Sequence, residues 1–398
     1  MGVVVRVSET GKCHPQHLTA ADASVINGCP YATAKQAPDG HWLVKPTRPK
    51  VGAVRVGHLD LHFSPKLPLK RVLFMLGYGV GRIDWDAHAG SDSLGDADGL
   101  VPAFANMLGR QAKQALDQGV LQGYRTADAT STVLRGRLRV TDQMQHGMGR
   151  PVPLEIRHDE LTTDIAENRI LRTALERMLG AAGLHRDDEA RKLLIRQLLR
   201  LPGVTPIPRN SGMPHWSENR RNRRYVPALR LAELVLRERS IEQAEGSFTG
   251  NGFLVDMEDV FEDFVCLAFA DEFTRTLGGR RRTAKVHLDT AGHLELKPDL
   301  TWERGGKPIA VLDAKYMWER KKIGGTRDAI FQMLGYCTSL GLERGHLIYA
   351  AGHQDAWTYT VGASGIEIVC HSLDLDLEPA DVLARIRHIA TLICDSLS

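Results

Sequence analysis

The feature that most narrows the fold is the run at residues 296–320, LKPDLTWERGGKPIAVLDAKYMWER. Pro298-Asp299 opens it, Leu300-Thr301-Trp302 follows, and Gly305-Gly306 separates these from an apolar run at 309–316. A Gly-Gly pair between two such runs predicts a hairpin. Side chains alternate along a strand, so Ile309, Val311, Asp313 and Lys315 share one face and Ala310, Leu312 and Ala314 the other. Folding at the glycines brings Asp299 back beside Asp313. Two carboxylates and one ammonium then converge at the end of an apolar hairpin.

Two carboxylates packed together repel unless a cation sits between them. An oxygen-ligand site with few protein donors suits Mg²⁺ or Mn²⁺, because such an ion keeps several waters and takes phosphate oxygens as further ligands. A lysine beside it can orient an attacking water, help deprotonate it and offset charge on a pentavalent phosphorane. Asp299, Asp313 and Lys315 therefore predict metal-dependent phosphodiester hydrolysis. By itself Asp-x-Lys is also an ordinary strand-end ion pair. The upstream Pro-Asp, the hairpin between and the helices on each side favour the catalytic reading.

At 398 residues the chain is long enough for two or three domains. A net charge of +3 excludes a uniformly basic nucleic-acid coat. Cys13, Cys29, Cys266, Cys337, Cys370 and Cys394 form no Cys-x-x-Cys pair and fit reduced thiols. No apolar signal core and no membrane-length apolar run is present, so a cytoplasmic protein without a membrane partner is expected.

Three segments are expected: 1–125, 126–246 and 247–398. The first reads as β-rich, with Val54, Val56, Leu59, Leu61 and Phe63 alternating, a short apolar helix or strand at 71–78, and loops at 11–40 and 81–98. The second reads as mainly helical. Its entry, residues 133–140, alternates Leu134, Gly136, Leu138 and Val140 against Arg135, Arg137 and Arg139, which predicts a strand with an arginine edge. Asp164, three before Glu167, predicts a helix cap. Arg209, Arg220, Arg221, Arg223 and Arg224 then cluster around Trp216 and Tyr225. Arginine forks with aromatic faces serve phosphate and base contact, and equally any polar protein interface.

The third segment reads as α/β. Residues 253–273 show helical spacing, with Glu258 and Glu262 one turn apart. Arg280-Arg281-Arg282 follows, a further candidate for DNA contact beside Arg220, Arg221, Arg223 and Arg224. After the hairpin a helix at 329–340 carries Gln332 and Tyr336 on one face, and strands and a closing helix complete the unit.

Helix with Phe-Glu, then Pro-Asp, then Asp-x-Lys, then Gln-x-x-x-Tyr: this order resembles the PD-(D/E)xK nucleases. Val56-Gly57-His58-Leu59-Asp60, Leu134-Arg135-Gly136-Arg137-Leu138, Glu167-Asn168-Arg169-Ile170-Leu171, Phe253-Leu254-Val255-Asp256-Met257 and Leu312-Asp313-Ala314-Lys315-Tyr316 narrow the resemblance to the McrC family. That family supplies the nuclease subunit of McrBC-type modification-dependent restriction systems. The resemblance runs from about residue 50 onward and implies an α+β chain ending in a restriction-endonuclease-like domain, a mixed sheet flanked by helices. It implies Asp299 and Asp313 on Mg²⁺ with the Ala314 carbonyl, Lys315 orienting water, Glu262 as a further acidic ligand or water holder, and Gln332 and Tyr336 shaping the site against the DNA backbone. It also implies docking on an AAA+ GTPase hexamer, stimulation of its GTP hydrolysis, and cleavage of double-stranded, modified DNA. The chain has no Gly-x-x-x-x-Gly-Lys-[Ser/Thr] loop, so it is expected to bind no nucleotide itself. The alternatives are a catalytically silent scaffold that activates the GTPase, and a free-standing nuclease.

Overall fold

The computed structural model describes residues 3–9, 15–79, 99–146, 150–184, 189–208, 211–244, 251–282, 285–316, 327–350 and 356–397. The chain divides into two compact units. One comprises Met1–Ala103, Ala181–Gly183 and Glu245–Ser398; the other comprises Phe104–Gly180 and Leu184–Ala244. The expected segments 1–125, 126–246 and 247–398 were consecutive. The observed first unit is discontinuous because a strand just past residue 250 returns to the N-terminal sheet.

The N-terminal part carries β1 (Val3–Ser8), β2 (Pro15–Gln16), α1 (Ala20–Asn27), β3 (Ala32–Gln36), β4 (Trp42–Pro46), β5 (Lys50–Val56), β6 (Leu59–Ser64) and α2 (Leu69–Gly79). β5 and β6 form an antiparallel hairpin and β1 lies parallel to β6. The alternating Val54, Val56, Leu59, Leu61 and Phe63 point inward and pack with Val5, Val7, Ile26 and Tyr31. Part of the expected loop at 11–40 is regular. Thr19 Oγ1 accepts from the Asp22 amide at 3.1 Å and Asp22 Oδ2 from the Thr19 amide at 2.9 Å, a reciprocal cap that starts α1. The stretch 81–98 lies outside the described residues.

The second unit is reached through α3 (Leu100–Leu116). It contains β7 (Gly123–Ser131), β8 (Arg137–Leu138), α4 (Val140–His146), β9 (Leu154–Thr162), α5 (Ala166–Leu179), α6 (Glu189–Leu198) and α7 (Val226–Ala244). Ile170, Leu171, Leu175 and Met178 of α5 are fully buried, and α5 packs on α6 and α7. The predicted strand at 133–140 shrinks to β8, with Val133 and Leu134 exposed. The extended structure lies instead in β7 and β9, paired antiparallel along their length. Asp164 does not cap α5, whose N-cap is Ile165 without a side-chain bond. It accepts from the Thr205 amide at 2.8 Å and pairs with Arg125 at 2.9 Å.

The remainder of the first unit begins with β10 (Asn251–Asp256) and α8 (Met257–Thr276), where one helix from 253 was predicted. Asp256 ends the strand and caps the helix, accepting from the Glu258 amide at 3.0 Å. Then come β11 (Arg280–Arg281), β12 (Val286–His287), β13 (Glu295–Leu296), β14 (Leu300–Arg304), β15 (Lys307–Lys315), α9 (Arg327–Leu340), β16 (Arg344–Ala350), β17 (Trp357–Thr360), β18 (Glu367–Leu373) and α10 (Pro379–Asp395). The main sheet runs β11-β14-β15-β16-β18-β17. β15, β16 and β18 are parallel and the other pairings antiparallel, so the sheet is mixed. α9 packs on the face of Val311, Leu347, Tyr349, Ile368 and Cys370. α8 also packs on β15, and α10 on α8. The chain is thus an α+β protein. Among the described residues no helix is long and apolar enough to cross a membrane, and Cys29, Cys266, Cys337, Cys370 and Cys394 are free thiols.

The pairing of β10 with β5 depends on Gly52, which has φ 129° and faces Leu254 across the ladder. A Cβ there would stand 2.2 Å from the Phe253 carbonyl oxygen. Gly40 also has positive φ, at 86°, but open space around it. Gly52→Ala is expected to lower stability by more than the roughly 1 kcal/mol of backbone strain that Gly40→Ala brings. Paired calorimetric melts of the two variants check this, and equal losses would contradict the packing argument.

Candidate active site

β14 and β15 form the predicted hairpin. Gly305 and Gly306 have φ of 59° and 78°, the left-handed pair that a tight two-residue turn requires. Leu300 lies opposite Leu312, so Asp299, one residue before, comes level with the end of β15. Asp299 Oδ2 accepts from the Ala314 amide at 2.7 Å. Beyond Leu312, β15 runs parallel to β16, with Asp313 beside Leu347 and Lys315 beside Tyr349. The two carboxylates therefore stand at the carboxyl end of parallel strands, where open α/β sheets leave a crevice for ligands.

Lys315 Nζ lies 2.5 Å from Asp313 Oδ2 and donates to Gln332 Oε1 at 3.0 Å. Gln332, on α9, thus holds the ammonium from its far side. Tyr336, one turn on and 1 % exposed, donates to the Lys297 carbonyl at 3.0 Å. That bond ties α9 to the segment leading into Pro298-Asp299. Asp313 is 1 % exposed. The lysine contact is an ion pair without the alignment of a hydrogen bond, and Asp313 Oδ2 has no directed donor.

α8 supplies the third carboxylate. Glu262 is half-buried, whereas Glu258 is exposed and turned to Arg48 at 3.5 Å. Burial raises the Glu262 pKa, and the charges of Asp263, Asp259 and Asp313 raise it further. Burial also pushes Asp299 up to about 8, with Asp313 and then Glu262 adding to the shift and the Ala314 amide opposing it. Asp313 is raised by burial and drawn back chiefly by Lys315. Burial, then Asp313 and Asp299, raise the Tyr336 hydroxyl as well. The arrangement gathers three carboxylates, with the Lys315 ammonium against Asp313 and the Arg281 charge acting on Glu262.

The arginines divide. Arg281 donates to the Asp299 carbonyl at 2.6 Å, a contact that its place in a basic triplet did not announce. Arg280 donates to Glu303 Oε1 at 2.6 Å, and Arg282 lies 3.6 Å from Glu303 Oε2. In the second unit Arg220, Arg221 and Arg223 are exposed. Arg224 is committed to Gln118 at 3.0 Å and to the Gly119 carbonyl at 2.8 Å, just past the end of α3. Tyr225 is 0 % exposed and its hydroxyl accepts from the Leu121 amide, so its ring is core and not a stacking face. Arg139 pairs with Asp142, Asp128 and Glu155. Arg209 lies outside the described residues.

A family model, McrBC 5-methylcytosine restriction system component, matches residues 47–350. The chain belongs to the McrBC family. The matched span contains the hairpin, Glu262, Gln332 and Tyr336, and begins close to residue 50, where the McrC-like runs begin. Among solved structures, this McrBC chain is similar to one in a refined half-complex from a tetradecameric assembly of Thermococcus gammatolerans McrB AAA+ hexamers with bound McrC. The TM-score is 0.58 at 18 % identity, over 98 % of this chain and 100 % of that one. A chain of the cryo-EM structure of the Thermococcus gammatolerans McrBC complex aligns with a TM-score of 0.45 at 19 % identity, over 68 % of this chain and 88 % of that one. No curated protein matches in sequence.

The donor set fits a hard divalent cation. Asp313 Oδ2 is a buried carboxylate oxygen without a directed donor, and Asp299 lies against the same strand end. Among the described residues no three acidic, imidazole or thiol side chains close up into a ready-made metal cage. Glu262 adds its charge to that of Asp313 in raising Asp299. Mg²⁺ tolerates such a sparse set, since waters complete its shell.

Stability should report this charge. Asp299 moves from 3.8 to about 8 on folding. Between those values the folded chain keeps a proton that the unfolded chain has lost, so metal-free stability falls as pH rises from about 4 to about 8. Asp299→Asn is expected to flatten that slope and to raise Tm at pH 8 in chelator. Added Mg²⁺ should raise the wild-type Tm and have little effect on the variant's. Calorimetry across pH, with and without Mg²⁺, measures both effects.

Proposed function

We propose that this chain is the DNA-cleaving subunit of its McrBC-type system, a metal-dependent endodeoxyribonuclease that works with an AAA+ GTPase hexamer and stimulates its GTP hydrolysis. The observation that carries the reading is the meeting of Asp299, Asp313 and Lys315 at the end of the β14–β15 hairpin. Asp299, Asp313 and the Ala314 carbonyl would hold Mg²⁺ or Mn²⁺, with Glu262 positioning a water in the outer shell. When bound, the ion supplies Lewis acidity and neutralises charge on the scissile phosphate. Lys315, steadied by Gln332, orients the attacking water and takes up negative charge developing on the phosphorane. Tyr336 fixes the approach to Asp299 through the Lys297 carbonyl.

Family membership and the likeness to a chain from an assembly of McrB hexamers with bound McrC support a motor partner carried by another polypeptide. Arg220, Arg221 and Arg223, exposed on the second unit, and Arg280, Arg281 and Arg282 are the residues proposed to meet DNA phosphates. Arg224 is proposed only to hold its own loop, given its bonds to Gln118 and Gly119.

Cleavage of methylated plasmid by the full chain with its AAA+ partner, GTP and Mg²⁺ tests the reading. Asp313→Ala is expected to abolish cutting and leave GTP hydrolysis stimulated, and Lys315→Met to slow cutting by about 100-fold or more. Cutting retained by Asp313→Ala would end the assignment. Stimulated GTP hydrolysis with uncut DNA in the wild type would instead indicate a scaffold.

A further inference from the structure

Another buried carboxylate meets the residue that follows Lys315, and the proposed chemistry does not use it. Glu9, at the end of β1, is 1 % exposed. Its own amide continues the β1–β6 ladder by donating to the Ser64 carbonyl at 3.0 Å. Glu9 Oε2 accepts from the Lys66 amide at 2.9 Å, and Glu9 Oε1 accepts from the Tyr316 hydroxyl at 2.6 Å. Tyr316 is the residue directly after Lys315 and is 8 % exposed. The Lys66 ammonium lies 3.9 Å from the centre of its ring. On α8, Phe261 packs against the same ring at 5.9 Å, and Phe261 is the chain neighbour of Glu262.

A buried carboxylate is expensive unless donors meet it, and one left half-satisfied is worse than none. An apolar side chain at Glu9 would fill the same space without that cost, so packing does not account for the acid. What it does supply is direction. One phenol hydroxyl fixes the residue next to Lys315, and the ring that carries it braces the residue next to Glu262. The N-terminal sheet thereby grips both elements that bring charge to the site.

We propose that Glu9 and Tyr316 are positioning residues for the hydrolytic site: the Glu9–Tyr316 hydrogen bond, backed by Lys66, anchors the end of β15 to the N-terminal sheet and sets where Lys315 stands relative to Asp313. This rests on the reading of Lys315 given above. Both residues are buried and face each other. The anchor joins residues 307 apart in sequence, and gives a route by which whatever engages the N-terminal sheet can alter the placement of Lys315.

The test uses the full chain with Tyr316→Phe, which keeps the ring against Phe261 and Lys66 and removes only the hydroxyl. Glu9→Gln, which keeps an acceptor for that hydroxyl, is the conservative partner. Misplacing a reacting group by about 1 Å costs on the order of 100-fold. Tyr316→Phe is therefore expected to lower the cleavage rate at saturating DNA by about 10- to 100-fold with KM unchanged, and Glu9→Gln by less. A second readout needs no cleavage. Trace acetylation of lysines by acetic anhydride, quantified by mass spectrometry against Lys285, should change at Lys315 by about threefold or more in Tyr316→Phe, because a lysine's reactivity follows its surroundings. Unchanged Lys315 labelling, with or without a lowered Tm, overturns the proposal. Labelling that shifts as expected in a chain that never cuts DNA overturns the nuclease reading and leaves the anchor standing.

Discussion

Like charge held together out of water is the constraint on which this structure turns. Asp313 is buried in the sheet, Asp299 is brought to the same strand end, and Glu262 adds a third negative charge from α8. The Lys315 ammonium offsets part of this charge at Asp313. Such an arrangement persists only where the surrounding frame is stronger than the repulsion inside it. The frame is a tight hairpin, a parallel neighbour strand and two helices on β15, each fixed by apolar packing that does not depend on the charged groups. A proton held on Asp299, whose pKa is pushed up to about 8, relieves that repulsion in the folded chain.

The hairpin was legible because its signals are local. Gly305-Gly306 specifies a turn through backbone freedom, and alternation on either side specifies strands. The small unit around α1 was nearly legible as well: Thr19 and Asp22 carry the spacing of a capping box, hidden in a stretch otherwise rich in turn residues. β7 and β9 were not. Their residues, such as Tyr124-Arg125-Thr126-Ala127-Asp128, show no apolar stripe, because ion pairs and hydroxyl contacts such as Arg157–Asp128 and Thr126–Asp159 link the two strands. A strand of that kind is defined by its partner and not by its own composition. The same holds for β10, where Phe253-Leu254-Val255 fits a helical stripe and a buried strand equally well. Pairing with β5 past Gly52 decides it.

Charge was visible in the sequence, but its use was not. Arg224 belongs to a basic cluster by composition and to a helix-end contact by structure, while Arg220, Arg221 and Arg223 stay exposed. Arg281 sits in an arginine triplet yet bonds the carbonyl of Asp299. Glu258 and Glu262 were equivalent by spacing. The resemblance pointed to Glu262, and in the fold α8 turns Glu258 toward Arg48 and Glu262 toward the aspartates. Glu9 carried no signal whatever, being a lone acid after a short strand. Its importance arises from burial against Tyr316, a contact between residues 307 apart in the chain.

By itself, then, the sequence determined the hairpin, the order of Pro-Asp and Asp-x-Lys, the face shared by Gln332 and Tyr336, and hence a chemistry of oxygen ligands and one amine. All of these follow from backbone preference and side-chain period, which act within a few residues. Tertiary structure alone decided which arginines are spent on the fold, and that the N-terminal strand reaches the residue beside Lys315. Those outcomes depend on desolvation and on contacts between distant segments, and neither has a local imprint for a sequence to display.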